Sequence, residues 1–180
     1  MIQILYLVHG TTTDNEQKIS SGWHDAPLSE LGRQQMRDLP AKLGGRSFDV
    51  VFCSDLQRAI DSAQLAFGGK VPIVPDKRLR ECNYGHFNAQ PSAIVEPKQE
   101  QSITSPFPGG ESYEDVKARM ADFLTFLKAN YDNKTVAIVA HKAPQLALEV
   151  VLKGKTWEQA FADDWRKTGA WQPGWGFELL

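Results

Sequence analysis

The chain has 180 residues, 42% of them hydrophobic and 23% charged, values that are ordinary for a globular protein with one sizeable core. Its net charge is −2 and it has no long basic run, so nothing in the composition supports a nucleic-acid partner. No apolar stretch reaches about 18 residues, so no membrane span is expected. We therefore expect a single domain over residues 1–180.

Two features of the sequence concern its cellular compartment. The N-terminus enters an apolar run at once and lacks the charged start and small-residue cleavage site of a signal peptide. Cys53 and Cys82 stand in apolar or strand-adjacent settings without metal-ligand spacing. A reduced, cytoplasmic protein is the simplest interpretation.

The first predicted element is the apolar run Ile2–Val8, which ends at His9 and Gly10. Such a run predicts a strand buried on both faces, as in the middle of a parallel sheet. The histidine would then lie at the C-terminal end of the strand, where ligands bind in open α/β sheets. Alone it is a weak signal, equally consistent with a packed or solvated histidine.

Strands and helices alternate along the rest of the chain. Capping residues and helical spacing predict helices after Ser29, after Ser54 or Asp55, after Ser112, and around Pro144. Three further strands are predicted at Phe48–Cys53, Val71–Val74 and Thr135–Ala140. This alternation predicts a three-layer α/β/α sandwich with a mainly parallel central sheet and right-handed crossovers.

Two regions have no clear periodicity. The segment from Arg78 to about Pro108 holds four of the ten prolines, and a loop of this length is usually functional. The tail beyond Gly154 holds four of the five tryptophans. We expect these tryptophans to pack against the domain, because large aromatic side chains bury much area. A homodimer contact or a lid over the site are the alternatives.

Four polar residues follow the predicted strands and should meet at one edge of the sheet: His9, Arg58, Glu81 and His141. A guanidinium has fork-shaped donors that match phosphate oxygens. An imidazole nitrogen can attack phosphorus and split phosphoryl transfer into two easier steps. A protonated carboxyl can give its proton to the departing alkoxide. The set therefore favours a site for a phosphate dianion.

The motifs around these residues resemble those of the histidine phosphatase superfamily, which includes the cofactor-dependent phosphoglycerate mutases. The matches span roughly residues 1–150 in sequence order, and jointly they are highly specific. The tail after Gly154 lies outside them. The matching segments are Leu7–Asn15, Ser21–Gly32, Ser54–Ala59, Leu79–Gly85, Pro108–Ser112 and Ile138–His141.

The resemblance implies a role for each matching residue. His9 would be the phosphorylated nucleophile and Glu81 the proton donor. Arg58 and His141 would hold the phosphoryl group. The assisting groups would be Asn15 and the backbone near Ser21 and Gly22. The resemblance implies no metal and no cofactor, and a phosphoglycerate mutase-like fold.

One position departs from the family pattern, because Val8 stands where the family has an arginine that clamps the phosphate. Losing one aligned donor to a developing charge typically costs about 10²–10³ in rate. Lys142, Arg78 or Arg80 could supply the missing charge. A lysine would do so only in part, because its ammonium is a point charge without the fork.

The favoured function is a phosphomonoesterase acting on a small phosphorylated substrate, possessing reduced activity because of Val8. The short chain between Glu81 and Gly109 favours hydrolysis over mutase transfer. One alternative is a family member that binds phosphate without turnover. The other is a metal-dependent hydrolase, with no supporting motif spacing, that would use His9, His141, Glu81 and Asp25 as ligands.

Overall fold

A computed structural model describes residues 1–180 as a central five-stranded sheet with helices on both faces, and a separate pair of two-residue strands. The sheet has the order β4-β3-β6-β1-β7. The strands are β1 (Ile2–Val8), β2 (Ile19–Ser20), β3 (Val50–Cys53), β4 (Ile73–Pro75), β5 (Gln90–Pro91), β6 (Thr135–Ala140) and β7 (Trp175–Leu179). The helices are α1 (Thr13–Glu16), α2 (Glu30–Lys42), α3 (Gln57–Phe67), α4 (Ser92–Gln99), α5 (Tyr113–Asn130), α6 (Lys142–Lys153), α7 (Trp157–Ala162) and α8 (Trp165–Thr168).

Strand β1 is buried on both faces, as the uninterrupted apolar run predicted. Ile4 and Tyr6 join the larger hydrophobic cluster, which also contains residues of α5 and α6. Leu5 and Leu7 join the smaller cluster beneath α2 and α3. Successive side chains of a strand point to opposite faces, so one strand supplies both cores. The predicted three-layer fold with a mainly parallel sheet is confirmed.

The sheet has one strand that the sequence analysis did not predict. β7 lies at the edge and runs antiparallel to β1, with Ile4 opposite Phe177. Trp175 and Phe177 are buried while Gly176 and Glu178 are exposed, the alternation of a strand with one covered face. The aromatic tail therefore completes the sheet and covers the side of β1 away from β6.

The helix boundaries follow local capping chemistry. Ser29 caps α2 as predicted, its hydroxyl accepting from the Gly32 N–H at 3.2 Å. The predicted cap of α3 is wrong, because that helix begins at Gln57 after Leu56. Ser54 instead accepts from the Leu56 N–H within the preceding turn, and Asp55 binds Arg80 at 2.7 Å. The Ser54 hydroxyl and the Asp55 carboxylate therefore form their hydrogen bonds outside α3 and do not cap it.

The segment expected to be irregular up to Pro108 contains the helix α4 and three short 3₁₀ turns, at Lys77–Leu79, Gly85–Phe87 and Glu100–Ser102. Pro91 precedes α4 and Pro97 lies within it, so the composition of this segment is typical of a loop. Only Val95 and Gln99 of α4 are buried, so no apolar period marked it. The predicted strands Phe48–Cys53 and Val71–Val74 are also shorter or shifted, and are seen as Val50–Cys53 and Ile73–Pro75.

The parallel strands β1, β3 and β6 end at the same edge of the sheet. There the Tyr6 hydroxyl donates to the His141 carbonyl at 2.6 Å and accepts from the His141 N–H at 3.0 Å. Burial raises the pKa of Tyr6, so its hydroxyl stays protonated and can donate. These two hydrogen bonds fix the backbone where β6 passes into α6. None of the helices combines the length and apolarity that a membrane crossing needs.

We predict that Tyr6→Phe lowers the free energy of unfolding by about 1–3 kcal/mol, because it leaves the buried N–H of His141 without a partner and the His141 carbonyl with only the Gln145 N–H at 3.4 Å. Urea unfolding would measure the loss. Tyr131→Phe is the matched control, since the half-buried Tyr131 hydroxyl makes no hydrogen bond within the chain. Equal losses in the two variants would contradict the bridging role of Tyr6.

Candidate active site

A cavity of about 440 Å³ opens at the C-terminal edge of β1 and β6. It brings together eight of the residues that the sequence analysis named as candidates, and Val8 also lies on its wall. The predicted residues that line it are His9, Asn15, Ser21, Gly22, Arg58, Glu81, His141 and Lys142. Sequence positions from residue 8 to residue 142 therefore converge on one space.

His9 follows β1 directly, and its ring is held in one tautomer. Its Nδ1 lies 2.7 Å from the Gly10 carbonyl oxygen, a contact that requires the proton on Nδ1. Burial of the ring, followed by the charge of Arg58, lowers the pKa of His9 to about 3. The ring is therefore neutral at ordinary pH, with the lone pair of Nε2 free to act as a nucleophile.

His141 follows β6 and faces His9, with the two ring centroids 5.0 Å apart. Its side chain is 1% exposed, and neither ring nitrogen has a hydrogen-bond partner within the chain. Burial and the charge of Arg58 lower the pKa of His141 well below its usual range. A buried imidazole without partners indicates a ligand-binding group, because unpaired buried polar atoms are rare.

Arg58 lies in the first turn of α3 and is 2% exposed. Its guanidinium donates to the Gly22 carbonyl at 2.6 Å and to the His24 carbonyl at 2.9 Å, and Asp25 lies 3.6 Å away. Burial lowers the pKa of Arg58, yet a guanidinium remains charged. The loop around Gly22 therefore fixes a buried cation beside the two histidines.

Glu81 contacts the start of α6 through both carboxylate oxygens. Oε1 accepts from the N–H groups of Cys82 and Ala143 at 2.8 and 2.9 Å, and Oε2 accepts from the Lys142 N–H at 3.1 Å. Two of these donors are the free amides of a helix N-terminus, which carry partial positive charge. The carboxylate is thereby held in place on the wall of the cavity.

The assisting groups come from the loops after β1. The Asn15 Oδ1 accepts from the Thr12 N–H in a capping box, while its Nδ2 donates to nothing within the chain. Ser21 donates to Asp14 at 2.8 Å, so its hydroxyl is already used. Gly22 has φ +56°, and a Cβ there would lie 2.0 Å from the Asn88 side chain, so only glycine fits. This turn directs backbone toward the cavity.

Of the three residues that could replace the positive charge missing at position 8, only one lines the cavity. Lys142 lines the cavity, with its Nζ 2.9 Å from Gln99 and 3.4 Å from Asp164. Arg78 and Arg80 do not line it. Arg78 pairs with two carboxylates, Asp76 and Asp122, and Arg80 pairs with Asp55. The prediction that Arg78 or Arg80 replaces the missing arginine is therefore wrong, because both side chains form ion pairs outside the cavity.

Sequence reasoning missed one wall of the cavity, which the tail supplies through Phe161, Trp165, Arg166 and Lys167. Of the alternatives for the tail tryptophans, packing holds for Trp157 and Trp175, which are buried. Trp165 also covers part of the site. The cluster of aromatic and basic residues from 161 to 167 is the sequence feature that could have predicted this wall.

The four residues considered as ligands of a metal-dependent hydrolase do not form a metal site. No three His, Cys, Asp or Glu side chains form a group that could hold a metal ion. Asp25 does not line the cavity and accepts instead from the Gln57 N–H at 2.7 Å. Glu81 has both oxygens occupied by backbone amides. The donor set therefore does not fit that alternative.

Comparison with known proteins identifies the family. The family model of the histidine phosphatase superfamily (branch 1) matches residues 5–171. A 2,3-bisphosphoglycerate-dependent phosphoglycerate mutase of Beijerinckia indica is 32% identical over 173 residues, a match covering 87% of this chain and 84% of the relative. The fructose-2,6-bisphosphatase TIGAR of Xenopus tropicalis is 34% identical over 129 residues, covering 66% of this chain and 47% of that relative, so the chain spans about half its length.

A solved structure agrees with these relatives. The mycobacterial glucosyl-3-phosphoglycerate phosphatase, in a complex with VO3, is 30% identical with a TM-score of 0.75, over 89% of this chain and 86% of that chain. The chain belongs to the histidine phosphatase superfamily. Its relatives are named as phosphatases and mutases, and the coarse function that they support is phosphoryl transfer.

We predict that the His9 ring stays neutral from pH 8 down to about pH 4 and gains a proton only near its lowered pKa of about 3. The sign follows from burial and the nearby guanidinium, which both disfavour the charged imidazolium. Ring ¹⁵N chemical shifts across a pH titration would measure it, with His9→Asn used to assign the signal. Protonation near the usual value of about 6.5 would contradict the prediction.

Proposed function

We propose that the protein is a phosphomonoesterase that hydrolyses a small phosphorylated substrate through a phosphohistidine on His9. The observation that carries the proposal is the fixed tautomer of His9, whose free Nε2 shares a cavity with the unpartnered His141 and the buried Arg58. A neutral nucleophile beside a buried guanidinium suits the attack on a phosphate dianion.

In the first step, Nε2 of His9 attacks phosphorus and the bond between phosphorus and the ester oxygen breaks. The departing alkoxide takes a proton from Glu81. Arg58 and His141 hold the oxygens of the phosphoryl group as charge shifts toward them. Positioning and electrostatics account for most of the catalysis of phosphoryl transfer, so the rigid donors matter more than any new covalent chemistry.

In the second step, water attacks the phosphorus of the phosphohistidine and the bond between nitrogen and phosphorus breaks. The Glu81 carboxylate takes the proton from that water, and inorganic phosphate leaves. The three backbone N–H groups on Glu81 keep its carboxylate in one orientation, so the same oxygen can serve both steps. Neither step needs a metal ion or a cofactor.

The second candidate is a family member that binds a phosphorylated ligand with little or no turnover. Val8 favours it, because the side chain before the nucleophile carries no charge. Mutase transfer is supported by the names of several relatives, while the phosphatase names of others and the short segment between Glu81 and Gly109 support hydrolysis. The homodimer and the cytoplasmic location stay predictions.

We predict that the protein hydrolyses p-nitrophenyl phosphate in the presence of a chelator and that His9→Ala lowers kcat/KM at least about a thousandfold, since the nucleophile is removed. Quenching in alkaline detergent with ³²P-labelled substrate should give a protein-bound label that is later lost in acid and kept in alkali, as a phosphohistidine would be. Wild type no faster than His9→Ala would favour the binding protein.

We predict that Glu81→Gln slows hydrolysis of an alkyl phosphate by about 10²–10⁴ and hydrolysis of p-nitrophenyl phosphate far less. The alkoxide needs a proton to leave, whereas p-nitrophenolate is a stable leaving group. Each substrate is the control for the other on the same variant, so a loss of folding would lower both rates alike. Equal losses on the two substrates, with the thermal unfolding midpoint of Glu81→Gln equal to that of wild type, would contradict a proton-donor role for Glu81.

A further inference from the structure

Two cations lie on the wall of the cavity, Arg166 from the tail and Lys142 from α6, and the buried carboxylate of Asp164 contacts both. Asp164 is fully buried, with Oδ1 2.9 Å from the Arg166 guanidinium and Oδ2 3.4 Å from the Lys142 ammonium. Both cations line the cavity together with His9, Arg58 and His141. A carboxylate that bridges two cations, with one oxygen toward each, restricts the positions of both.

Arg166 has two further contacts that fix its guanidinium. It lies 3.3–3.4 Å from the Oε1 of the buried Gln145, and 4.4 Å from the ring of Trp165. Trp165 in turn stacks on Trp175 of β7, with ring centroids 5.5 Å apart. The guanidinium therefore reaches the cavity from a short helix that is anchored to the edge of the sheet.

We propose that Arg166 binds the phosphoryl group in the place of the arginine that position 8 lacks, with Lys142 beside it. The tail would then complete the phosphate site. This inference rests on the proposed function only in taking a phosphoryl group as the ligand, and it does not require turnover.

Several observations support Arg166 over other cations. Arg78 and Arg80 are held by carboxylates away from the cavity, and Lys142 offers no fork. Val8 leaves room on the wall where a longer side chain would otherwise lie. The unpartnered ring nitrogens of His141 indicate that this cavity binds a polar ligand. The charge of Arg166 also contributes to the lowered pKa of both His9 and His141, which is consistent with its closeness to them.

The test measures binding of inorganic phosphate by calorimetry, separately from hydrolysis. We expect Arg166→Gln to weaken phosphate binding about 10- to 100-fold, the range for losing a hydrogen bond to a charged group. Arg166→Lys should lie between the two, since it keeps the charge and loses the fork. Arg46→Gln is the matched control, because Arg46 is exposed and outside the cavity, and its binding should equal that of wild type.

The double variant Val8→Arg with Arg166→Gln tests whether an arginine at position 8 can replace Arg166 in binding phosphate. We expect it to recover most of the lost phosphate affinity, while Val8→Arg alone gains little. Affinity for phosphate in Arg166→Gln within about twofold of Arg46→Gln would overturn the inference. So would a loss that Val8→Arg does not recover, since Arg166 would then act through the fold of the tail.

Two further readouts separate the causes of a negative result. The thermal unfolding midpoint without ligand shows whether Arg166→Gln folds, and Arg166→Lys decides the question if it does not. Wild type that binds phosphate in an Arg166-dependent way but hydrolyses nothing would keep this inference and reject the phosphatase. Hydrolysis that persists unchanged in Arg166→Gln, with unchanged phosphate affinity, would do the reverse.

Discussion

The parallel pairing of β1 with β6 is the constraint on which the site depends. Val8 lies opposite Ala140 in the register, so the residues that follow, His9 and His141, leave the sheet side by side with rings 5.0 Å apart. Slipping the register by one residue would turn the alternating side chains of β1 to the wrong cores. The two-sided burial of Ile4, Tyr6 and their neighbours therefore fixes the spacing of the two histidines.

The charges around that pair oppose stability and favour ligand binding. Arg58 is buried beside two imidazoles whose pKa values are lowered, so the site is cationic without carrying charge on the histidines. Burial of a charge costs free energy unless it is paired, and Arg58 has carbonyl oxygens as its nearest acceptors. Under the proposed function, a bound phosphate dianion would offset that cost.

The sequence predicted those parts of the fold that local signals determine. The run Ile2–Val8, the Ser29 cap and the residues at the strand ends follow from periodicity, capping and parallel topology. The helix α4 was missed because its prolines and its single buried apolar residue, Val95, hide the helical period. The edge strand β7 was missed because its pairing with β1 joins residues that are about 170 positions apart, and no local pattern encodes such a contact.

The same long-range contact explains why the wall containing Arg166 was not predicted. An arginine at position 8 would extend from the end of a strand that is hydrogen-bonded on both sides, so the sheet alone would hold its backbone. Arg166 instead depends on a chain of contacts through Asp164, Trp165 and Trp175 to the edge of the sheet. Under the proposed role of Arg166, docking of the tail and completion of the phosphate site become one event. The aromatic residues of the tail then serve the chemistry by holding a charge in place.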